Sequence, residues 1–142
     1  MEDKKFILIV DDEIIGAMSL AEHIRFWGYY NCEIAGSVEE AISEVERCRP
    51  NLAIMDIKLG ENTRGGIEAA KKILAKYRIP IIFITGYDIE ELRMESPGEL
   101  TLFMSKPLDL DLLKGAIKTL LEKNKPGGSA SDLPRPRIPD GD

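Results

Sequence analysis

The sequence predicts a single α/β domain built on a doubly wound, five-stranded parallel sheet, and three observations carry that prediction. Short apolar runs alternate with amphipathic stretches five times between residues 4 and 124. The runs at Phe6–Val10, Asn51–Asp56 and Pro80–Ile84 are nearly continuous in Ile, Val, Leu, Ala and Met, as in strands covered on both faces. The stretches between runs have the length of helical crossovers, which are right-handed and put helices on both sides of the sheet.

Composition agrees with a globular chain. It has 142 residues, 44% hydrophobic and 31% charged, enough to bury a core as one domain. The net charge of −6 argues against a nucleic-acid or anionic-membrane surface. Cys32 and Cys48 form neither a C-x-x-C pair nor a disulfide framework, which suits a reducing compartment. No apolar run approaches the ~18–20 residues that span a bilayer. The N-terminus passes straight into a strand without a signal-peptide pattern, so a cytoplasmic location is expected.

In chain order, the first strand, Phe6 to Val10, closes on Asp11-Asp12-Glu13. Apolar residues at 14, 17, 18, 21 and 24 follow the helical period up to Trp27, with Gly28 as the residue past the helix end. Tyr30 to Ala35 reads as a less buried strand. Ser37 and Glu40 have capping-box spacing ahead of an apolar stripe at Val38, Ala41, Ile42 and Val45, and Arg49-Pro50 ends that helix. The third strand ends on Asp56. Gly60 to Gly66 reads as a loop, and Ile67, Ala70, Leu74 and Tyr77 mark the next helix face. The fourth strand ends on Thr85-Gly86. A short helix from Asp88 is cut off by Pro97-Gly98. Thr101 to Met104 is the last strand, closed by Ser105-Lys106-Pro107, and Asp109 caps a final helix with Leu113, Ala116, Ile117, Leu120 and Leu121 on its buried face. Half of the residues from Lys125 to Asp142 are Pro, Gly or Ser, so residues 1–124 are expected to form the domain and 125–142 a disordered tail or linker.

Open parallel sheets bind ligands at the carboxyl ends of their strands. Taken alone, Asp56 is equally a turn residue or a helix cap. Its meaning changes with what ends the other strands: Asp11 and Asp12, Thr85, and Lys106. Three carboxylates on one edge repel and call for a cation. Hard oxygen donors in a hydrated site favour magnesium. Lys106 suits a phosphate or carboxylate as a point charge, and Thr85 offers a hydroxyl donor. An Asp in such a site can accept a phosphoryl group as an acyl phosphate.

This set resembles the receiver domain of two-component response regulators. The likeness covers about residues 4–123 and rests on Asp11 and Asp12 in "LIVDDE", Asp56 in "AIMDIKLG", Thr85 in "IIFITG" and Lys106-Pro107 in "FMSKP". It implies a flavodoxin-like sheet of order 2-1-3-4-5 with five helices. Asp56 would be the phosphoacceptor, and Asp11, Asp12, Asp56 and the Lys58 backbone carbonyl would hold Mg2+. Thr85 and Lys106 would bind the phosphoryl oxygens, with Phe103 as the switch aromatic. A cis bond before Pro107 would turn Lys106 toward Asp56. Lys58 and Tyr87 stand at positions associated with phosphoryl lifetime, and together they are expected to slow its loss.

The same resemblance implies a phosphorelay role. A sensor histidine kinase or phosphotransfer protein would be the donor. A downstream protein would read the surface of the fourth helix, fifth strand and fifth helix, through which two copies could also pair. Neither nucleic acid nor membrane is expected as a partner. His23 reads as a helix-surface residue, so the chain is a recipient and no enzyme in its own right. The loop Glu61-Asn62-Thr63-Arg64 departs from the family's common Pro-Gly turn. Two other classes fit the sequence less well. A haloacid-dehalogenase-type phosphatase wants an Asp where Lys58 stands, and a receiver-like interaction module without phosphorylation usually lacks the acceptor or the lysine.

Overall fold

A computed structural model describes residues 5–86, 89–93, 97–98 and 100–123. The proposed start of a helix at Asp88, the Tyr87 position and the tail 125–142 lie outside them. Strands β1 (Phe6–Val10), β2 (Asn31–Ala35), β3 (Leu52–Asp56), β4 (Ile81–Thr85) and β5 (Thr101–Ser105) alternate with helices α1 (Ile14–Phe26), α2 (Val38–Cys48), α3 (Gly65–Leu74), α4 (Ile89–Arg93) and α5 (Leu110–Lys123). The sheet order is β2-β1-β3-β4-β5, and every pairing is parallel.

The strands' two-residue period divides the core into two clusters. Leu8, Val10, Ala53, Met55 and Phe83 face α2, α3 and α4, meeting Ala41, Val45, Ile67, Ile73 and Leu92. Ile7, Ile9, Ile54, Ile82 and Ile84 face α1 and α5, meeting Ala17, Ala21, Ile24, Leu113 and Ile117. Continuous apolar strands thus supply both faces from alternate residues, as a sheet covered on both sides requires.

Several local expectations change. On α1 the buried row is Ala17, Ala21 and Ile24, while Ile14 is 50% and Met18 55% exposed. Both belong to the apolar period, but the sheet contacts a narrower stripe than the period allows. Ser37 Oγ accepts from Glu40 N at 3.1 Å, yet the Glu40 carboxylate accepts from Gly36 N at 2.7 Å, one residue earlier than a capping box would have it. Gly65 and Gly66 belong to α3 instead of the loop, because Gly66 must pass against the β3 backbone. That helix ends at Leu74, so Tyr77 packs on the core from the following turn, with the Arg49 guanidinium 4.7 Å from its ring centre. Asp109 does cap α5, accepting from Leu112 N at 3.1 Å. Among the described residues no helix is long and apolar enough to cross a membrane.

Candidate functional site

The carboxyl edge of the sheet brings together residues far apart in the chain. Asp11 follows β1, held by its N–H to Ala35 O at 2.9 Å, and its Oδ1 accepts from Glu13 N at 2.9 Å. Asp56 ends β3 beside Ile84 of β4, and Thr85 ends β4 beside Ser105 of β5. Lys106 N donates to Thr85 O at 2.8 Å, so the lysine leaves the sheet next to Thr85. The Lys106–Pro107 bond is cis. Lys106 Nζ reaches Asp56 Oδ2 at 3.2 Å, with Asp56 12% and Lys106 50% exposed.

Asp11, Asp12 and Asp56 each present one carboxylate oxygen, all within 4.8 Å of one another. Burial lifts the Asp11 carboxyl above its usual range. The Glu13 N–H opposes that shift, Asp56 adds to it, Lys106 opposes it and Asp12 adds again. Three acids with one lysine against them form a site of unbalanced negative charge. Hard oxygen donors at this spacing fit a small divalent cation, which relieves the repulsion without bringing in another side chain.

The other expected residues are placed less uniformly. Thr85 is 1% exposed. Phe103 is half-buried and stacks on Phe83, ring centres 5.1 Å apart at 20°. Lys58 is in the β3–α3 loop, its Nζ donating to Gly60 O at 2.8 Å. Its carbonyl accepts no backbone hydrogen bond among the described residues. Two glycines at the site were not singled out by the sequence reading. Gly60 N donates to Asp12 Oδ2 at 3.0 Å, and Gly66 N donates to Ile57 O at 2.8 Å. A Gly-Gly pair directly ahead of an apolar helical period was the available signal for Gly66; nothing in the sequence announced the Gly60 bond.

Comparisons with known proteins place the chain in a family. Residues 7–118 match the family model of the response regulator receiver domain. The chain is 34% identical over 119 residues to the transcriptional regulatory protein PdtaR of Mycobacterium tuberculosis, covering 82% of this chain and 57% of PdtaR. It therefore spans little more than half of that relative's length. It is similar to a crystal structure of a CheY-like receiver domain protein from Methanospirillum hungatei JF-1, with a TM-score of 0.76 and 31% identity over 89% of this chain and 100% of that one. The anti-anti-sigma factor PhyR from Bartonella quintana is similar over 86% of this chain and 49% of its own, at a TM-score of 0.72 and 31% identity. Sequence, topology and strand-end chemistry converge on one assignment: the chain belongs to the response regulator receiver domain family.

Proposed function

We propose that this domain relays a signal by accepting a phosphoryl group on Asp56 from a phosphohistidine of a sensor histidine kinase or phosphotransfer protein. The observation that carries the reading is the convergence of Asp11, Asp12 and Lys106 on Asp56 at the carboxyl end of a central strand. An Asp56 carboxylate oxygen attacks phosphorus, the P–N bond breaks, and the departing imidazole keeps the electron pair and takes up a proton. Magnesium held by Asp11, Asp12, Asp56 and the Lys58 carbonyl would neutralise charge on the transferring oxygens. Lys106 exchanges its present carboxylate partner for a phosphoryl oxygen, and Thr85 donates its hydroxyl to another.

Drawing Thr85 inward vacates space into which Phe103 rotates from its stack on Phe83, and the α4–β5–α5 surface changes shape. A downstream protein or a second copy of the chain reads that surface. A swing from 1:99 to 99:1 between the two states needs ~5.5 kcal/mol of differential affinity. Lys58, standing where a haloacid-dehalogenase-type phosphatase needs an acid, supports a signalling domain over that enzyme. The presence of Asp56 and Lys106 favours phosphorylation over a purely structural module. A cytoplasmic location, where such donors act, belongs to the same reading.

The test is incubation with acetyl phosphate and magnesium, read by intact mass. Wild type should gain one phosphoryl group and Asp56→Asn none. Equal labelling of both would move the acceptor elsewhere.

A further inference from the structure

Gly60 is held from both sides. Its N–H donates to Asp12 Oδ2 at 3.0 Å and its carbonyl accepts from Lys58 Nζ at 2.8 Å. Its φ of 62° lies in the left-handed region, where a residue without a Cβ is at ease. The loop behind it is closed by reciprocal backbone bonds between Leu59 and Asn62, at 2.9 and 3.0 Å, and anchored by Gly66 N on Ile57 O. The Gly60 N–H is thus presented from a tied-down turn.

Asp12 needs such a donor. It is the exposed member of the acidic trio, and repulsion from Asp11 and Asp56 favours rotamers that carry its carboxylate into water. A fixed N–H on one oxygen keeps the side chain turned inward and leaves the other oxygen for a cation. Groups that orient a metal's carboxylate ligands affect binding almost as strongly as the ligands do.

We propose that Gly60 is a positioning residue for cation binding by Asp12, and that Lys58 acts through Gly60 by fixing the peptide plane on its far side. The proposal rests on the reading of the acidic trio as a divalent-cation site, and assigns Lys58 a role different from shielding a phosphoryl group. It also makes a prediction of unusual sign. Removing a lysine near three carboxylates should, by charge alone, strengthen cation binding. Removing it as a support for Gly60 should weaken binding.

The experiment is a titration with Mn2+, followed by the electron paramagnetic resonance of free ion. Gly60→Pro lacks the N–H and cannot adopt the native φ, so affinity should fall roughly 10- to 100-fold. Lys58→Met should weaken binding about two- to fivefold, the scale of an exposed charged hydrogen bond, and Lys58→Arg should restore it. In an Asp12→Asn background, Lys58→Met should have no further effect. Unchanged or tighter binding by Lys58→Met overturns the proposal while leaving the cation site standing. Failure of wild type to bind Mn2+ overturns both. Should Gly60→Pro not fold, judged by circular dichroism, the Lys58 variants and hydrogen exchange of the Gly60 amide decide: the proposal requires that exposed-loop amide to exchange slowly in wild type.

Discussion

Gly66 lies so close to Asp56 that a Cβ at position 66 would overlap the Asp56 carbonyl oxygen and come within 2.9 Å of the Ile57 Cα. The obstacle is backbone, which cannot rotate aside as a side-chain tip can. The first turn of α3 is therefore seated directly on the end of β3 that carries the proposed phosphoacceptor.

Gly66→Ala should accordingly act on both stability and chemistry. Forcing a methyl against backbone in a packed core costs about 1–3 kcal/mol, and the strain falls on the peptide that orients Asp56. A clearly lower melting temperature and slower labelling of Asp56 by acetyl phosphate are expected. A melting temperature within a degree of wild type would mean that α3 shifts freely and that the close approach is not a constraint.

Lys106 should separate chemistry from stability. Its ion pair with Asp56 is half exposed on the lysine side, and pairs of that kind are worth under about 1 kcal/mol. Lys106→Met should therefore barely move the thermal melt, yet reduce phosphoryl-dependent change in the Phe103 environment, seen by NMR of phenylalanine-labelled protein. An unaltered response in the phosphorylated variant would remove Lys106 from the switch.

The fold was legible because β1, β3 and β4 are apolar without alternation, a pattern that few arrangements besides a doubly covered parallel sheet accommodate. The site was legible for a related reason: each strand ends where its apolar run stops, so the first polar residues, Asp11, Asp56 and Thr85, fall on one edge. What escaped depends on the path of a loop. The Lys58 ammonium turns back onto Gly60, and no spacing rule specifies side-chain direction in an irregular segment. Gly66 reads as loop because it closes a polar, glycine-containing stretch, whereas its absent side chain is what lets the helix begin there. Ile14 and Met18 obey the helical period and still face solvent, since periodicity marks an apolar sector without saying how much of it a neighbour covers.

Asp11 and Asp12 should show opposite effects on metal and on stability. Asp11→Asn or Asp12→Ala removes one of three crowded carboxylates, so magnesium affinity should drop while the metal-free protein melts no lower than wild type. The stabilisation that magnesium gives by mass action should shrink in step. Calorimetric titration and melts in EDTA and in magnesium make the comparison. Equal magnesium affinity in wild type and both variants would count against the acidic site.

Cys32 provides a test of the core far from the acidic edge. It is 6% exposed and packs in the cluster shared by α1 and α5. Burial pushes its thiol from the usual 9.0 to about 11, with Arg25 opposing and Glu33 adding to the shift. In the unfolded chain the thiol ionises near 9.0, whereas in the fold it stays protonated to about 11. Between those values the native state binds more protons than the unfolded state, so this group makes stability fall as pH rises. Below the window it contributes no pH dependence. The slope from one thiol is at most about 1.4 kcal/mol per pH unit. Cys32→Ala cannot ionise and does not overfill the site, so its stability relative to wild type should improve steadily from pH 9 to 11 and be flat from pH 7 to 8.5. Urea unfolding of both proteins across that range gives the difference directly, with titration of lysines and tyrosines common to both. Parallel curves above pH 9 would show that the thiol ionises as readily in the fold as outside it, and that the α1 side of the sheet admits water at Cys32.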